Sequence, residues 1–110
     1  MTNLFVKLTN RKSMLRTASL ARQIARRSQG DVFGRVHDLI FGMSPHEMRG
    51  YIRARAARVI RRELSSSTVA VGQLSDANRQ LLFRITTECV VQLVMGEVEA
   101  SATPKVRTAA

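Results

Sequence analysis

Cysteine, tryptophan and acidic side chains are what this sequence has least of. It holds one cysteine, Cys89, and no tryptophan, and its 8 Asp and Glu stand against 18 Lys and Arg. A lone thiol excludes an intramolecular disulfide framework and any zinc site built from several cysteines. Aromatics make up 5% of the chain, so a core must be assembled from Leu, Ile, Val, Met and Ala. No apolar run approaches the ~18–20 residues that span a membrane. The longest charge-free stretch, Leu64 to Ser75, is rich in Ser and Thr. Leu4-Phe5-Val6 is interrupted by Lys7 and is too short for the centre of a secretory signal.

The residues that catalysis usually needs are equally sparse. His37 and His46 are the two histidines, and His46-Glu47 lacks the second histidine of a helical zinc-protease motif. On a helix, His37 and Asp38 point to different sides, which does not make a dyad. Cys89 falls among apolar residues, where a free thiol acts as a small hydrophobe. The glycines are spaced as helix ends and not as a phosphate-binding G-x-G-x-x-G turn. Neither an enzyme, a metal site nor a cofactor is expected.

What the chain has in excess is positive charge, and it is unevenly placed. Residues 1–62 carry 14 basic and 3 acidic side chains, a net of +11, whereas residues 63–110 carry 4 basic and 5 acidic, a net of −1. Fifteen of the 18 basic residues are arginine, whose planar fork suits phosphate and carboxylate. Such asymmetry bears on partners rather than on fold. From Met1 to Gly30 there are seven basic residues and no acid. That composition fits a transit peptide, but also the basic first helix of a cytoplasmic protein, the reading preferred because the Arg-rich style continues past residue 30.

Periodicity predicts an all-α fold: a single domain over residues 1–99 with about four helices, basic over 1–62, followed by a flexible tail over 100–110. Asn3 to Thr9 reads either as a short strand or as a lead-in to helix. From Ser13 to Ser28, Met14, Ala18, Ala21, Ile24 and Ala25 share a face, with Leu20 at its edge and Arg16, Arg22, Arg26 and Arg27 opposite. Ser13 is the expected cap and Gly30 the expected stop. A shorter second helix, Asp31 to Phe41, would be capped by Asp31 and ended by Gly42. Its shared face would be Val32, Val36, Leu39 and Ile40, and Phe33 and Phe41 would add bulk.

Ser44-Pro45-His46-Glu47 is a capping box with Pro at the first helical position. The helix it opens should run to about Leu64, with Met48, Ile52, Ala56, Val59 and Ile60 on one stripe. Arg49, Arg53, Arg55, Arg58, Arg61 and Arg62 cover much of the remaining girth. Ser65 to Thr68 breaks the pattern, and Val69 to Gly72 reads as a loop or minor strand. A last helix is predicted from Ser75-Asp76 to about Glu97, a strand from Cys89 onward being the alternative. Leu81, Leu82, Ile85, Cys89, Val90, Leu93 and Val94 make it apolar over most of its girth. Such a helix is central to a core or shared with another chain. A homodimer with Leu82, Ile85, Cys89 and Leu93 at its seam is therefore expected.

Ser19 to Arg26 resembles the first helix of a helix-turn-helix unit, with a turn implied near Gln29-Gly30. Val32, Phe33 and Val36 do not fall into the register that the unit requires. The Arg-rich third helix is the stronger functional signal, since its like charges at i,i+3 and i,i+4 repel mildly and gain only when an anion occupies the face. The expected function is nucleic-acid binding, with Arg16, Arg22, Arg26, Arg27, Arg49, Arg53, Arg55, Arg58, Arg61 and Arg62 gripping backbone phosphates. The alternative is an assembly module whose basic face meets an acidic protein.

Overall fold

A computed structural model describes residues 2–66 and 74–102, with side chains placed from Leu15 to Ser66 and from Leu74 to Ser101. It holds three helices, α1 (Thr2–Val36), α2 (Pro45–Ser66) and α3 (Asp76–Ala102), and no strand among the described residues. The all-α expectation stands, with three helices in place of about four. The segment that read as strand or lead-in is helical backbone from Thr2.

The helices expected on either side of Gly30 are one. Gly30 and Gly34 lie inside α1, and each costs about 1 kcal/mol of helix propensity relative to alanine. Packing outweighs that cost. Ala21, Ala25, Ser28, Val32 and Val36 are all buried, and their spacing of four, three, four and four residues carries one stripe through Gly30 in phase. Burying a valine contributes about 1.5–3 kcal/mol, so Val32 and Val36 together exceed the two glycine penalties. The same continuity removes the turn that a helix-turn-helix needs. Asp31 is not a cap but accepts a hydrogen bond from Arg35 Nε at 2.8 Å, one turn along the helix.

α1 ends at Val36 rather than near Phe41. Leu39 N–H donates to the Val36 carbonyl at 2.9 Å, and Met43 N–H to that of Ile40 at 3.2 Å. Gly42 takes φ 82°, a left-handed conformation that suits glycine and lets the chain reverse. Of the apolar residues in this connection Ile40 is buried, while Leu39 is exposed and Phe41 is 83% exposed. Phe41 therefore adds no bulk to the core; Phe33, half-buried, does.

α2 begins as its sequence specifies. Glu47 N–H donates to Ser44 Oγ at 3.2 Å, and Ser44 N–H donates back to Glu47 Oε1 at 3.3 Å, closing the capping box. Ile52, Ala56, Val59 and Ile60 are its buried residues, with Met48 half-buried on the same stripe. At the start of α3, Asn78 N–H donates to Ser75 Oγ at 3.2 Å. α3 stays helical through Cys89 to Ala102, so there is no strand there, and residues 100–102 belong to the helix rather than to a tail.

The breadth of apolar surface on α3 is used inside one chain. α3 packs against both α1 and α2, burying Leu82, Val90, Val91, Val94 and Met95. Leu82 is thus a core residue, not a seam residue, and Ile85, Cys89 and Leu93 are half-buried against the same core. Gln29 of α1 hydrogen bonds to Glu97 of α3, and Arg53 of α2 to Glu88, so the chain runs up, down and up. Among the described residues no helix is long and apolar enough to cross a membrane. Ser67 to Gly72, Lys105 and Arg107 lie outside the described residues.

Neither Gly30 nor Gly34 has a positive φ, and a methyl group at either position meets nothing within 4 Å. Gly30→Ala should therefore raise the stability to urea by about 0.5–1 kcal/mol. A helix stop at Gly30 would give the opposite sign.

Candidate functional site

The arginines fall into groups set by helical spacing. On α1, Arg16, Arg22, Arg26 and Arg27 are exposed. Arg22 and Arg26, one turn apart, share with Ser19 and Gln23 a shallow recess of about 240 Å³. Arg16 and Arg27 are separated by eleven residues, close to three turns, and so lie along one line of the same helix.

On α2 the six arginines do not form one face. Arg53 and Arg61, eight residues apart with Ala57 between them, look toward α3. Arg53 Nε donates to Glu88 Oε1 at 2.7 Å, and its Nη2 donates to Oε2 at 3.1 Å. This two-pronged bond holds Glu88 below the usual carboxylate range and raises Arg53, with the Arg49 charge adding to the effect on Glu88. Arg61 lies over the ring of Phe83, 5.2 Å from its centre.

Arg55, Arg58 and Arg62 occupy the opposite flank, where i, i+3 and i+7 spacing aligns them. Tyr51 steadies the first of them: its hydroxyl accepts a hydrogen bond from Arg55 Nε at 3.2 Å, and its ring lies 5.5 Å below the guanidinium. Arg55 is thereby oriented with its two terminal nitrogens left to a partner. Among the described residues, the arginines within 4.0 Å of a carboxylate are Arg35, Arg53 and Arg79. Of the ten candidates, Arg53 alone is neutralised in this way among the described residues.

Two arginines of this surface belong to no Arg-rich run. Arg79 and Arg84 of α3 line a groove of about 700 Å³ with Arg53, Arg61, Phe83 and Glu88. They stand singly in the near-neutral half of the sequence, and only the packing of α2 against α3 brings them beside Arg61.

His37 and Asp38 meet, because both follow the end of α1 instead of lying within a helix. His37 Nε2 is 3.1 Å from Asp38 Oδ1, and Nδ1 is 3.1 Å from the Phe33 carbonyl oxygen. Both ring nitrogens are engaged, and neither is directed at a nucleophile. The ring also stacks on Phe33 at 5.2 Å. Among the described residues no three His, Cys, Asp or Glu side chains converge as metal ligands. Comparison with protein-family models, curated proteins and solved structures finds no match for the chain.

The Arg53–Glu88 bridge links α2 to α3 at the surface, where its partners are 45% and 46% exposed. An exposed pair of this kind contributes about 0.2–1 kcal/mol. Because the pKa of Glu88 is depressed on folding, that contribution is present above its unfolded value, near 4.5, and is lost as pH falls through the lower folded value. Glu88→Gln should be less stable than the unmodified protein at pH 7, the difference closing between pH 5 and acid conditions near pH 3. Urea titrations at both ends of that range measure it.

Proposed function

We propose that the protein binds nucleic acid through its phosphate backbone, using the outward arginines of α1 and the Arg55–Arg58–Arg62 flank of α2. The observation that carries this reading is the lack of internal neutralisation. The formal net charge is +10, and nine of the ten candidate arginines have no carboxylate within 4.0 Å among the described residues. Aligned guanidinium groups repel one another by about 0.2–0.5 kcal/mol per helical pair, and a polyanion reverses the sign of that term. Arg55 is held by Tyr51 with its fork free, which reduces the ordering cost of gripping a phosphate.

Duplex backbone suits this surface better than single strands. Single-strand binders stack successive bases on exposed aromatics. Here Tyr51 and Phe83 are half-buried beneath arginines, and Phe41 stands apart in the α1–α2 connection. Phosphate contacts alone position a protein without reading sequence, so weak discrimination between duplex sequences goes with the proposal.

Changing Arg55, Arg58 and Arg62 together to Gln should weaken duplex binding alike for all sequences. If all three touch phosphate, the slope of log affinity against log salt should flatten by about 2.7. The fold should survive, because the stripe of Ile52, Ala56, Val59 and Ile60 is untouched. Gel-shift titrations at several salt concentrations test this, with Lys105→Gln/Arg107→Gln as the control for general charge. Failure of the unmodified protein to retard duplex even at low salt would remove the proposal.

A further inference from the structure

The groove between α2 and α3 differs in chemistry from the outward arginine faces. Its margins are the exposed Arg53 and Arg61 of α2 and Arg79 and Arg84 of α3, while its deeper lining includes the half-buried Ala57 and Phe83 and the buried Thr87. Arg53 is satisfied by Glu88, and Arg79 lies 3.7 Å from Asp76. Arg61 and Arg84 have no carboxylate within 4.0 Å among the described residues. The groove thus carries two unpaired cations at its edges beside the paired Glu88, and its base is mainly apolar, broken by the buried Thr87 hydroxyl. Ala57, between two arginines in an i, i+4, i+8 row, leaves room there for an incoming side chain.

We infer that this groove docks an acidic amphipathic helix of a partner protein. A phosphate backbone is polar along its whole length and would leave Ala57, and the part of Phe83 that Arg61 does not cover, without an apolar partner. An amphipathic helix covers both with its apolar stripe and places flanking carboxylates against Arg61 and Arg84. The residues involved are distinct from Arg55, Arg58 and Arg62, so this inference and the nucleic-acid reading stand or fall separately.

The test is fluorescence anisotropy in about 150 mM salt, where long-range attraction between exposed charges is screened. The probe is a labelled 18-residue helical peptide with Leu at i, i+3, i+4 and i+7 spacing and Glu on both flanks, and its control is a scrambled peptide of the same composition. The amphipathic peptide should bind at least tenfold tighter than its control. Ala57→Phe, which fills the base of the groove without changing charge, should abolish that preference and leave duplex affinity within twofold. A second pair of variants serves whether or not Ala57→Phe folds. R61Q/R84Q should weaken the amphipathic peptide at least tenfold more than R58Q/R62Q, which removes equal charge elsewhere. Equal binding of the two peptides, binding of neither, equal loss in the two double variants, or a preference that survives Ala57→Phe in a folded protein would overturn the inference. So would a tenfold loss of duplex affinity in folded Ala57→Phe, which would give the groove to nucleic acid.

Discussion

An arginine side chain cannot shed its charge, and a core of valine, isoleucine and alanine cannot hold one unpaired. That constraint shapes the whole molecule. With 15 arginines and 8 carboxylates, at least seven guanidinium groups must find water or an external anion even if every carboxylate pairs with one arginine. The interior is left to small aliphatic side chains, which suffice because three long helices pack one stripe each. All three helices pack against one another, and α3, the least charged of them, makes the broadest contact. α1 turns Arg16, Arg22, Arg26 and Arg27 outward, and α2 does so with Arg58 and Arg62.

The carboxylates that remain make few and specific contacts. Glu88 bridges α2 to α3 through Arg53, and Glu97 bonds Gln29 of α1. Pairing Arg53 with Glu88 also divides the arginines of α2. One flank faces a groove with a mainly apolar base; the other carries Arg58 and Arg62 into solvent beside the half-buried Arg55. A helix that looks uniformly cationic in sequence therefore presents two surfaces of different chemistry.

Much of this was legible in the residues themselves. Ser44 and Glu47 fixed the start of α2, and the spacing of Ile52, Ala56, Val59 and Ile60 fixed its buried stripe. Local chemistry and packing agree there, and the structure follows both. At Gly30 they disagree. Glycine followed by aspartate looks like a stop and a new cap, but the buried stripe runs on in phase from Ala25 through Ser28 to Val32. Counting Ser28 as a core position would have joined the two segments. The girth of α3 had two explanations, core or dimer seam, and sequence alone could not choose between them. Packing on both sides within one chain accounts for Leu82, Val90, Val91, Val94 and Met95, and leaves Ile85, Cys89 and Leu93 half-buried. Arg79 and Arg84 were invisible as site residues for the same reason: their neighbourhood is tertiary. The meeting of His37 with Asp38 depends on where α1 ends, which the pattern placed several residues too late.

Phosphate binding by outward arginines that have no carboxylate within 4.0 Å among the described residues is tested most directly at the guanidinium groups themselves. Arginine Nε–Hε signals can be followed by nuclear magnetic resonance as a short duplex is added. The expected result is displacement of the signals of Arg22, Arg26, Arg58 and Arg62, with Arg53 unmoved because its Nε already donates to Glu88. Signals that stay in place at saturating duplex, or that shift for Arg53 as much as for Arg58 and Arg62, would contradict it.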